Sequence, residues 1–238
     1  MIMWLSDMKI IAHIKTPFRE KFGIPRQSGL LDTEGQIIFE KEYRVREAFR
    51  GLEDYSHIWI LWNFSEHNEN EWSPTVRPPL LGGNKRMGVF ATRSPFRPNP
   101  IGLSCVKLEK IEYTRDFGPV LHISGADLMD GTPIYDIKPY LAYADSFPNA
   151  ICGFTKNLSE RKIDVRVETD LSDKIPQKTK EEIIKVLSHN PTPSYKGEGK
   201  TYKMKYADYD ISFEIRESIL YITDIKNKRA ASPISRPN

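Results

Sequence analysis

Cysteine is scarce in this sequence, with only Cys105 and Cys152 among 238 residues. Both lie among apolar residues, so we expect neither a disulfide framework nor a multi-cysteine zinc site, and a reducing compartment is favoured. Long hydrophobic runs are also missing, because the longest, HIWILWNF at 57–64, falls far short of the roughly 20 residues that a membrane helix needs. The start, MIMWLSD, has neither the basic segment nor the cleavage site of a secretion signal. We therefore expect a cytoplasmic protein.

Common nucleotide-binding and catalytic motifs are absent as well. There is no G-x-G-x-x-G fingerprint, no Gly-Lys-Ser/Thr of a phosphate-binding loop and no G-x-S-x-G around a serine nucleophile. The five histidines are scattered along the chain rather than spaced as metal ligands. A doubly wound nucleotide fold thus loses its main support, and no metal site is expected.

A strong excess of charge of one sign is missing from the chain as a whole, whose net charge is +3. The excess is concentrated in residues 151–238, which hold 17 Lys and Arg against 13 Asp and Glu. Such a mild excess fits either a solvated surface or a nucleic-acid footprint.

What the first 145 residues contain is mostly strand-like sequence, rich in Ile, Val and aromatic residues and broken by turns at short intervals. This spacing is typical of an all-β sandwich or barrel. The run 57–64 lacks alternation and is predicted to be buried on both faces, and 87–92 is predicted to be a strand. Periodicity is lost at about 146–160, so we place a domain boundary there, between domains 1–150 and 151–238. The second domain is predicted to be smaller and α+β, with a helix at 178–190 and a hairpin at 209–226.

Four segments of the first domain carry unusual polar chemistry: GIPRQSG (23–29), SEHNENEW (65–72), ATRSPFRPNPIG (91–102) and ADLMDGTPIYDIKPYLAYAD (126–145). In the third, three prolines fix the backbone, so that Arg93 and Arg97 are displayed with little freedom to lose on binding. Arginine suits a carboxylate or phosphate, and aspartate suits a ribose hydroxyl or an ammonium. These groups suit a ligand that combines a carboxylate, an amine and a nucleoside.

The segments PRQ, PTVRPPLLGGNKRMGVFATRSPFRPNPIGLS and ADLMDGTPIYDIKPYLAYADS closely resemble the TsaA-like family, specifically its bacterial TrmO group. The resemblance covers about 10–150 with long, specific motifs, and NPTPSY and YADYDISFEI resemble the smaller second domain of bacterial members. It implies a β-barrel, S-adenosylmethionine-dependent tRNA methyltransferase that forms homodimers. The implied acceptor is N6 of threonylcarbamoyladenosine, beside the anticodon of threonine tRNA.

The resemblance also implies positions for the cofactor contacts. They are Pro25, Arg26, Gln27, His67, Asn68, Arg93, Leu103, Asp130, Gly131, Thr132 and Pro133. Asp136 and Tyr140 are candidate proton acceptors because they lie beside the Asp130 turn, and the alternative for Asp136 is an ion pair with Lys138.

For tRNA, we expect contacts from the basic second domain, with lysines on phosphates and tyrosines stacking on bases. The candidates are Tyr195, Lys196, Lys200, Tyr202, Lys203 and Lys205. Arg97 has three possible partners: the RNA, a neighbouring subunit or its own loop. Removal of 151–238 is expected to weaken tRNA binding and to spare cofactor binding.

Two other functions fit the sequence. One is a non-catalytic barrel that binds adenosine-like ligands and acts as an RNA adaptor or sensor. The other is a methyltransferase for small molecules, which the presence of the second domain disfavours.

Overall fold

The computed structural model describes residues 8–67, 72–81, 83–156, 162–167, 175–189, 192 and 200–228. The earlier strands are β1 (Ala12–Lys15), β2 (Glu34–Phe39), β3 (His57–Asn63), β4 (Thr75–Val76), β5 (Met87–Gly88), β6 (Ile101–Thr114), β7 (Gly118–Ser124) and β8 (Pro133–Pro139). The later strands are β9 (Asp164–Val167), β10 (Thr201–Tyr206), β11 (Tyr209–Arg216) and β12 (Ile219–Asn227). The α-helices are α1 (Ala142–Asp145) and α2 (Gln177–Ser188). Single 3₁₀ turns cover Lys41–Tyr43, Arg46–Phe49, Leu52–Asp54, Pro79–Leu81, Val89–Ala91 and Gly153–Thr155.

Six antiparallel strands close into a barrel in the order β1-β2-β7-β6-β3-β8, with β8 pairing back onto β1. The inward side chains are large and aliphatic, and Ile14, Ile37, Ile60 and Leu121 are fully buried. Closure satisfies both edges of every strand and leaves one side of each strand facing outward. The barrel that the resemblance implied is therefore confirmed.

The last third of the chain forms a second sheet in the order β10-β11-β12-β9, with β9 parallel to β12. Helix α2 contributes Ile183, Val186 and Leu187 to the core beneath this sheet. A smaller sheet-and-helix unit was predicted here and is confirmed.

The segment between β1 and β2 enters this second core. Phe18 and Leu31 are buried in it, and Phe22 and Ile24 pack against it. Phe18 forms a bridge with Tyr206, and the Ala207 N–H donates to the Pro17 carbonyl at 2.7 Å. The second sheet thus holds a loop that belongs, by sequence, to the barrel.

Two local predictions are wrong. Strand β3 alternates, with Ile58, Ile60 and Trp62 facing inward, because a barrel strand has one buried and one outer side. Residues 87–92 form only the short β5 followed by a 3₁₀ turn. Both the backbone N–H and the hydroxyl of Thr92 donate to the Val89 carbonyl and close that turn.

Among the described residues, no helix has the length and apolar character that crossing a membrane requires.

Candidate functional site

A pocket of about 650 Å³ opens at one end of the barrel. This is the end at which β1, β3 and β7 finish and at which β2, β6 and β8 begin. Its walls come from four chain connections, those after β1, after β3, before β6 and between β7 and β8. The volume lies within the range of about 300–1,000 Å³ found for cofactor and ligand sites.

The connection after β1 supplies Pro25, Arg26 and Gln27 to one wall. Pro25 is buried, and burial lowers the pKa of the Arg26 guanidinium. The tip of this loop is fastened to the barrel, since the Cys105 N–H donates to Ser28 Oγ at 3.1 Å. The three predicted contacts therefore stand on a fixed backbone.

The proline-rich connection before β6 brings both Arg93 and Arg97 to the pocket wall. Arg93 Nη1 donates to Gln27 Oε1, which joins two of the pocket walls. Arg97 Nη1 donates to the Thr92 carbonyl at 2.7 Å and lies over the Phe90 ring, with 5.7 Å from its guanidinium carbon to the ring centroid. Arg97 thus contacts its own loop within one chain, and its contacts with RNA or a second subunit stay predictions.

Apolar surface lines the inner part of the pocket. Trp62, Phe96, Leu103 and Met129 contribute to it. A Cβ on Gly102 would lie 2.2 Å from the Trp62 ring, so the indole occupies space that only glycine leaves open. This surface suits a flat heterocycle or an alkyl chain.

Asp127 is a pocket residue that the sequence reasoning missed as a contact. Its Oδ1 accepts a hydrogen bond from Ser104 Oγ, which itself accepts from Trp62 Nε1 at 2.9 Å. Burial raises the pKa of the Asp127 carboxyl, and the hydroxyl of Ser104 and the charge of Arg93 oppose that rise. In its charged form this carboxylate can accept a hydrogen bond from an ammonium or a hydroxyl group of a ligand.

The other three aspartates of the 126–145 segment are engaged elsewhere. Asp130 pairs with Arg19 and accepts from the Thr16 N–H at 3.0 Å. Asp145 accepts from Trp59 Nε1 and from the Leu141 N–H, each at 2.9 Å. Asp136 forms an ion pair with Lys138 at 2.8 Å, which is the alternative that the sequence had left open for it.

His67 presents an unused polar atom to the pocket. Its Nε2 is buried and has no hydrogen-bond partner among the described residues, and its ring meets Phe96 edge to face at 4.7 Å. A buried nitrogen without a partner is costly, so a ligand that bonds to it gains affinity. Asn68, predicted beside it, lies outside the described residues.

The turn that leads into β8 contains four of the predicted contacts, Asp130, Gly131, Thr132 and Pro133. Of these, Thr132 lines the pocket. Thr132 is buried, and its hydroxyl donates to the Met129 carbonyl at 2.7 Å. Gly131 has φ of +80°, which lets the chain reverse before β8. The contacts of Asp130 with Arg19 and with the Thr16 N–H hold this turn, and with it the start of β8, against the segment after β1.

The two candidate proton acceptors lie on the outer side of the barrel. Tyr140 packs against the rings of His57 and Trp59, at 6.2 and 5.9 Å between centroids. Asp136 is in register with Leu61, which is in register with Leu103 of the pocket wall. Two strand spacings of about 4.8 Å place Asp136 roughly 10 Å from Leu103 across the strands. Neither residue lines the pocket of a single subunit.

The predicted RNA contacts of the second domain divide into three groups. Lys200, Lys203 and Lys205 are exposed, and Lys205 lies 3.6 Å from Glu20. Tyr202 is half-buried, and its ring clusters with those of Phe22 and Phe213, at 6.3 and 5.5 Å between centroids, which leaves it less surface for stacking on a base. Tyr195 and Lys196 lie outside the described residues.

The missed pocket residues carried faint signals in the sequence. Asp127 is a charged residue in the apolar stretch that follows β7. Trp62 belongs to the run 57–64, which is predicted to be core. Lys21, which also lines the pocket, precedes the recognised loop by only a few residues. Their convergence depends on barrel closure, which sequence spacing does not display.

Two family profiles match this chain. One is described as the tRNA-methyltransferase O N-terminal domain and matches residues 13–146, and the other is the TrmO C-terminal domain, which matches 160–228.

Named relatives point in the same direction. The tRNA (adenine(37)-N6)-methyltransferase of Escherichia coli K12 is 42% identical over 219 residues, covering 87% of this chain and 92% of that protein. The "Probable S-adenosyl-L-methionine-binding protein" of Methanothermobacter thermautotrophicus is 36% identical over 148 residues, covering 60% of this chain and 98% of that protein. A crystal structure of TrmO from Pseudomonas aeruginosa superposes with a TM-score of 0.74 at 30% identity, covering 95% of this chain and all of that one.

Proposed function

This chain belongs to the TrmO family of tRNA methyltransferases, and we propose that it transfers a methyl group from S-adenosylmethionine to N6 of threonylcarbamoyladenosine beside the anticodon of threonine tRNA. One observation carries the proposal. The predicted contacts Pro25, Arg26, Gln27, His67, Arg93, Leu103 and Thr132, scattered over more than 100 residues of sequence, meet in a single pocket.

The pocket residues fit S-adenosylmethionine chemically. Arg26 and Arg93 suit a carboxylate, and Asp127 suits an ammonium or a ribose hydroxyl. The aromatic and aliphatic surface of Trp62, Phe96 and Leu103 suits a purine, and the buried Nε2 of His67 beside it has no partner among the described residues. When bound, the donor supplies a methyl group already activated by a positively charged sulfur.

The residues of the chain then act mainly by holding and orienting the reactants. Loops fastened by the hydrogen bonds of Ser28 and Arg93 keep the pocket walls in place, so little ordering remains to be done on binding. Alignment of an acceptor nitrogen with the methyl group can supply most of the acceleration.

The acceptor nitrogen is a poor nucleophile because its lone pair is delocalised into the carbamoyl and purine groups. A nearby proton acceptor therefore assists the reaction. We retain Asp136 and Tyr140 for this role, which requires a second subunit to place its donor pocket against the outer face of the barrel that carries them.

The assembly we propose is a cytoplasmic homodimer in which residues 1–150 bind the methyl donor and residues 151–238 contact tRNA. Exposed lysines on β10, among them Lys203 and Lys205, support the tRNA contact. Large apolar side chains exposed after β8 support self-association; they are Tyr143, Phe147 and Ile151, which are 88%, 74% and 93% exposed.

Methyl transfer to RNA tests this function. The purified protein is incubated with S-adenosylmethionine carrying a labelled methyl group and with tRNA from cells that lack this gene. Label in the tRNA is expected, because such tRNA still has its acceptor nitrogen free. Binding of S-adenosylmethionine and tRNA without transfer would instead favour the adaptor or sensor function.

A further inference from the structure

A second concavity, of about 580 Å³, lies directly beside the pocket and reaches the second domain. We call it the cationic groove. Its lining residues are Arg19, Glu20, Lys21, Phe22, Glu66, Met129 and Lys203. Lys21, Glu66 and Met129 line the pocket as well, so the two spaces meet at these three residues.

Two of the five charged side chains that line the cationic groove, Arg19 and Glu20, are compensated by other protein groups. Arg19 forms an ion pair with Asp130. Glu20 forms an ion pair with Lys205, and Glu20 Oε1 also accepts a hydrogen bond from the Lys205 backbone N–H at 2.9 Å. Lys21 and Lys203 differ from these, since no described carboxylate lies within ion-pair distance of either ammonium. Among the described residues, Lys21 Nζ donates to the carbonyl oxygen of Glu66, at 2.5 Å.

The place where the pocket and the groove meet thus offers a cation that pairs with no carboxylate of the described residues. A Lys ammonium has three donors, of which Lys21 uses one on Glu66. Its position at the boundary lets it reach a group on a ligand whose reacting part lies in the pocket. An anionic substituent, a few bonds away from the reacting nitrogen, matches this arrangement.

From these observations we propose that Lys21, with Lys203 across the groove, binds the carboxylate of the threonyl group on the acceptor base. The inference rests on the proposed function, because the threonylcarbamoyl group attached at N6 is what carries the carboxylate. It makes Lys21 the residue by which the enzyme requires threonylcarbamoylation before methylation.

An RNA phosphate would supply the same negative charge, but the groove fits a threonyl group better. Glu66 lines the same space, and its carboxylate would repel a phosphate that brings no hydrogen-bond donor. The hydroxyl of a threonyl group can donate to that carboxylate while its own carboxylate faces Lys21. The Lys21 ammonium and the Glu66 carboxylate are therefore complementary to a ligand that carries both a carboxylate and a hydroxyl group, as a threonyl group does.

Binding of two anticodon stem-loops tests the inference, one carrying threonylcarbamoyladenosine at position 37 and the other unmodified adenosine. The wild-type protein should bind the modified RNA about 10- to 100-fold more tightly, the range that a charge-assisted hydrogen bond provides. Lys21→Gln should remove most of this preference by weakening only the modified complex. Lys21→Arg should restore much of it, and Lys203→Gln should have a smaller effect of the same kind.

Lys110→Gln serves as the matched control, because Lys110 is an exposed lysine on β6, seven residues beyond Leu103 and roughly 20 Å along the strand. It should change neither affinity. Equal weakening of both stem-loops by Lys21→Gln would mean that Lys21 binds a phosphate, and would overturn the inference. Equal binding of both RNAs by the wild-type protein would also overturn the inference.

Methyl transfer on the same RNAs separates this inference from the proposed function. If the modified RNA is bound selectively through Lys21 but receives no methyl group, the proposed function fails and the binding inference stands. If methyl transfer occurs equally on both RNAs, the enzyme is a methyltransferase that does not require the threonyl group, and the inference fails.

Discussion

Asp127 is a pocket residue whose negative charge is expected to lower the stability of the fold and to favour ligand binding. Its carboxylate lies in the wall beside Trp62 and Ser104 and opposite the charge of Arg93. Burial raises its pKa, so the folded protein binds a proton at this site more tightly than the unfolded chain does. The charged form therefore costs free energy that a ligand cation or hydroxyl can recover.

We predict that Asp127→Asn stabilises the unliganded protein at neutral pH and weakens S-adenosylmethionine binding. Because the raised pKa penalises the ionised carboxylate, the wild-type protein loses stability as pH rises through the window between the unfolded and folded pKa values. Asn avoids that loss and still offers Ser104 an oxygen. A gain of about 1 kcal/mol would raise Tm by about 2–4 °C at pH 7.

Thermal unfolding from pH 3 to pH 8 measures this effect. The difference in Tm between the variant and the wild type should shrink toward zero as pH falls below about 3.8, where Asp127 is protonated in both states. Asp136→Asn is the matched control, since Asp136 is paired with Lys138 at the surface and should leave Tm nearly unchanged. A difference that does not depend on pH would contradict the prediction.

Gly102 has a packing role beside Trp62. We predict that Gly102→Ala destabilises the protein by about 1–3 kcal/mol, because the new Cβ meets the indole at 2.2 Å and forces it into the pocket. Gly88→Ala is the control, since nothing lies within 4 Å of its Cβ position. Chemical denaturation measures both, and similar midpoints for the two variants would contradict the packing argument.

Among the elements, the connection between β1 and β2 is the one whose position is fixed by contacts with both the barrel and the second sheet. It carries Pro25, Arg26 and Gln27 to the pocket, yet its apolar residues Phe18 and Leu31 are buried in the core of the second domain. This packing reverses the sequence-based expectation that residues 151–238 are dispensable for donor binding. Their removal would expose those side chains and release the loop.

Phe22→Ala tests this dependence without truncation. Phe22 packs against Tyr202 and Phe213 just before the Pro25–Gln27 wall, so its loss should loosen the loop and weaken S-adenosylmethionine binding by about 3- to 10-fold, as about 1 kcal/mol does. Val165→Ala is the matched control, because Val165 packs against the same core from β9, at the opposite edge of the sheet. Titration calorimetry compares the two variants, and equal donor affinity would show that the loop does not need this anchor.

The sequence predicted most elements and missed those that depend on tertiary closure. Strands such as β3 and β7 were found because apolar β-branched residues mark them directly. Strand β8 was missed as a strand because it begins at Pro133, within a motif interpreted for its polar residues. The pocket was predicted from family resemblance at Pro25–Gln27 and Arg93, whereas Asp127 and Lys21 depend on which loops the barrel brings together.

In the whole molecule, the proposed dimer would cover apolar residues that are exposed in a single chain. Phe147 and Ile151 are 74% and 93% exposed in the segment that follows β8. We predict that a double change, Phe147→Glu with Ile151→Glu, converts a dimer into a monomer, because it places charges in a desolvated interface.

Sedimentation equilibrium measures the mass of the variant and of the wild type. Val45→Glu is the control, since Val45 is also exposed, at 51%, but lies between β2 and β3 and should leave the dimer intact. A wild-type protein that is a monomer at micromolar concentration would contradict the proposed assembly.

The pocket at the end of the barrel is the proposed site of methyl transfer to a modified adenosine of tRNA. The most direct test incubates the protein with labelled S-adenosylmethionine and threonine tRNA from cells that lack this gene, then digests the RNA to nucleosides for mass spectrometry. We predict one added methyl group per tRNA, on N6 of threonylcarbamoyladenosine at position 37, the position named for the Escherichia coli relative. No methyl transfer, or transfer to another nucleoside, would contradict the account.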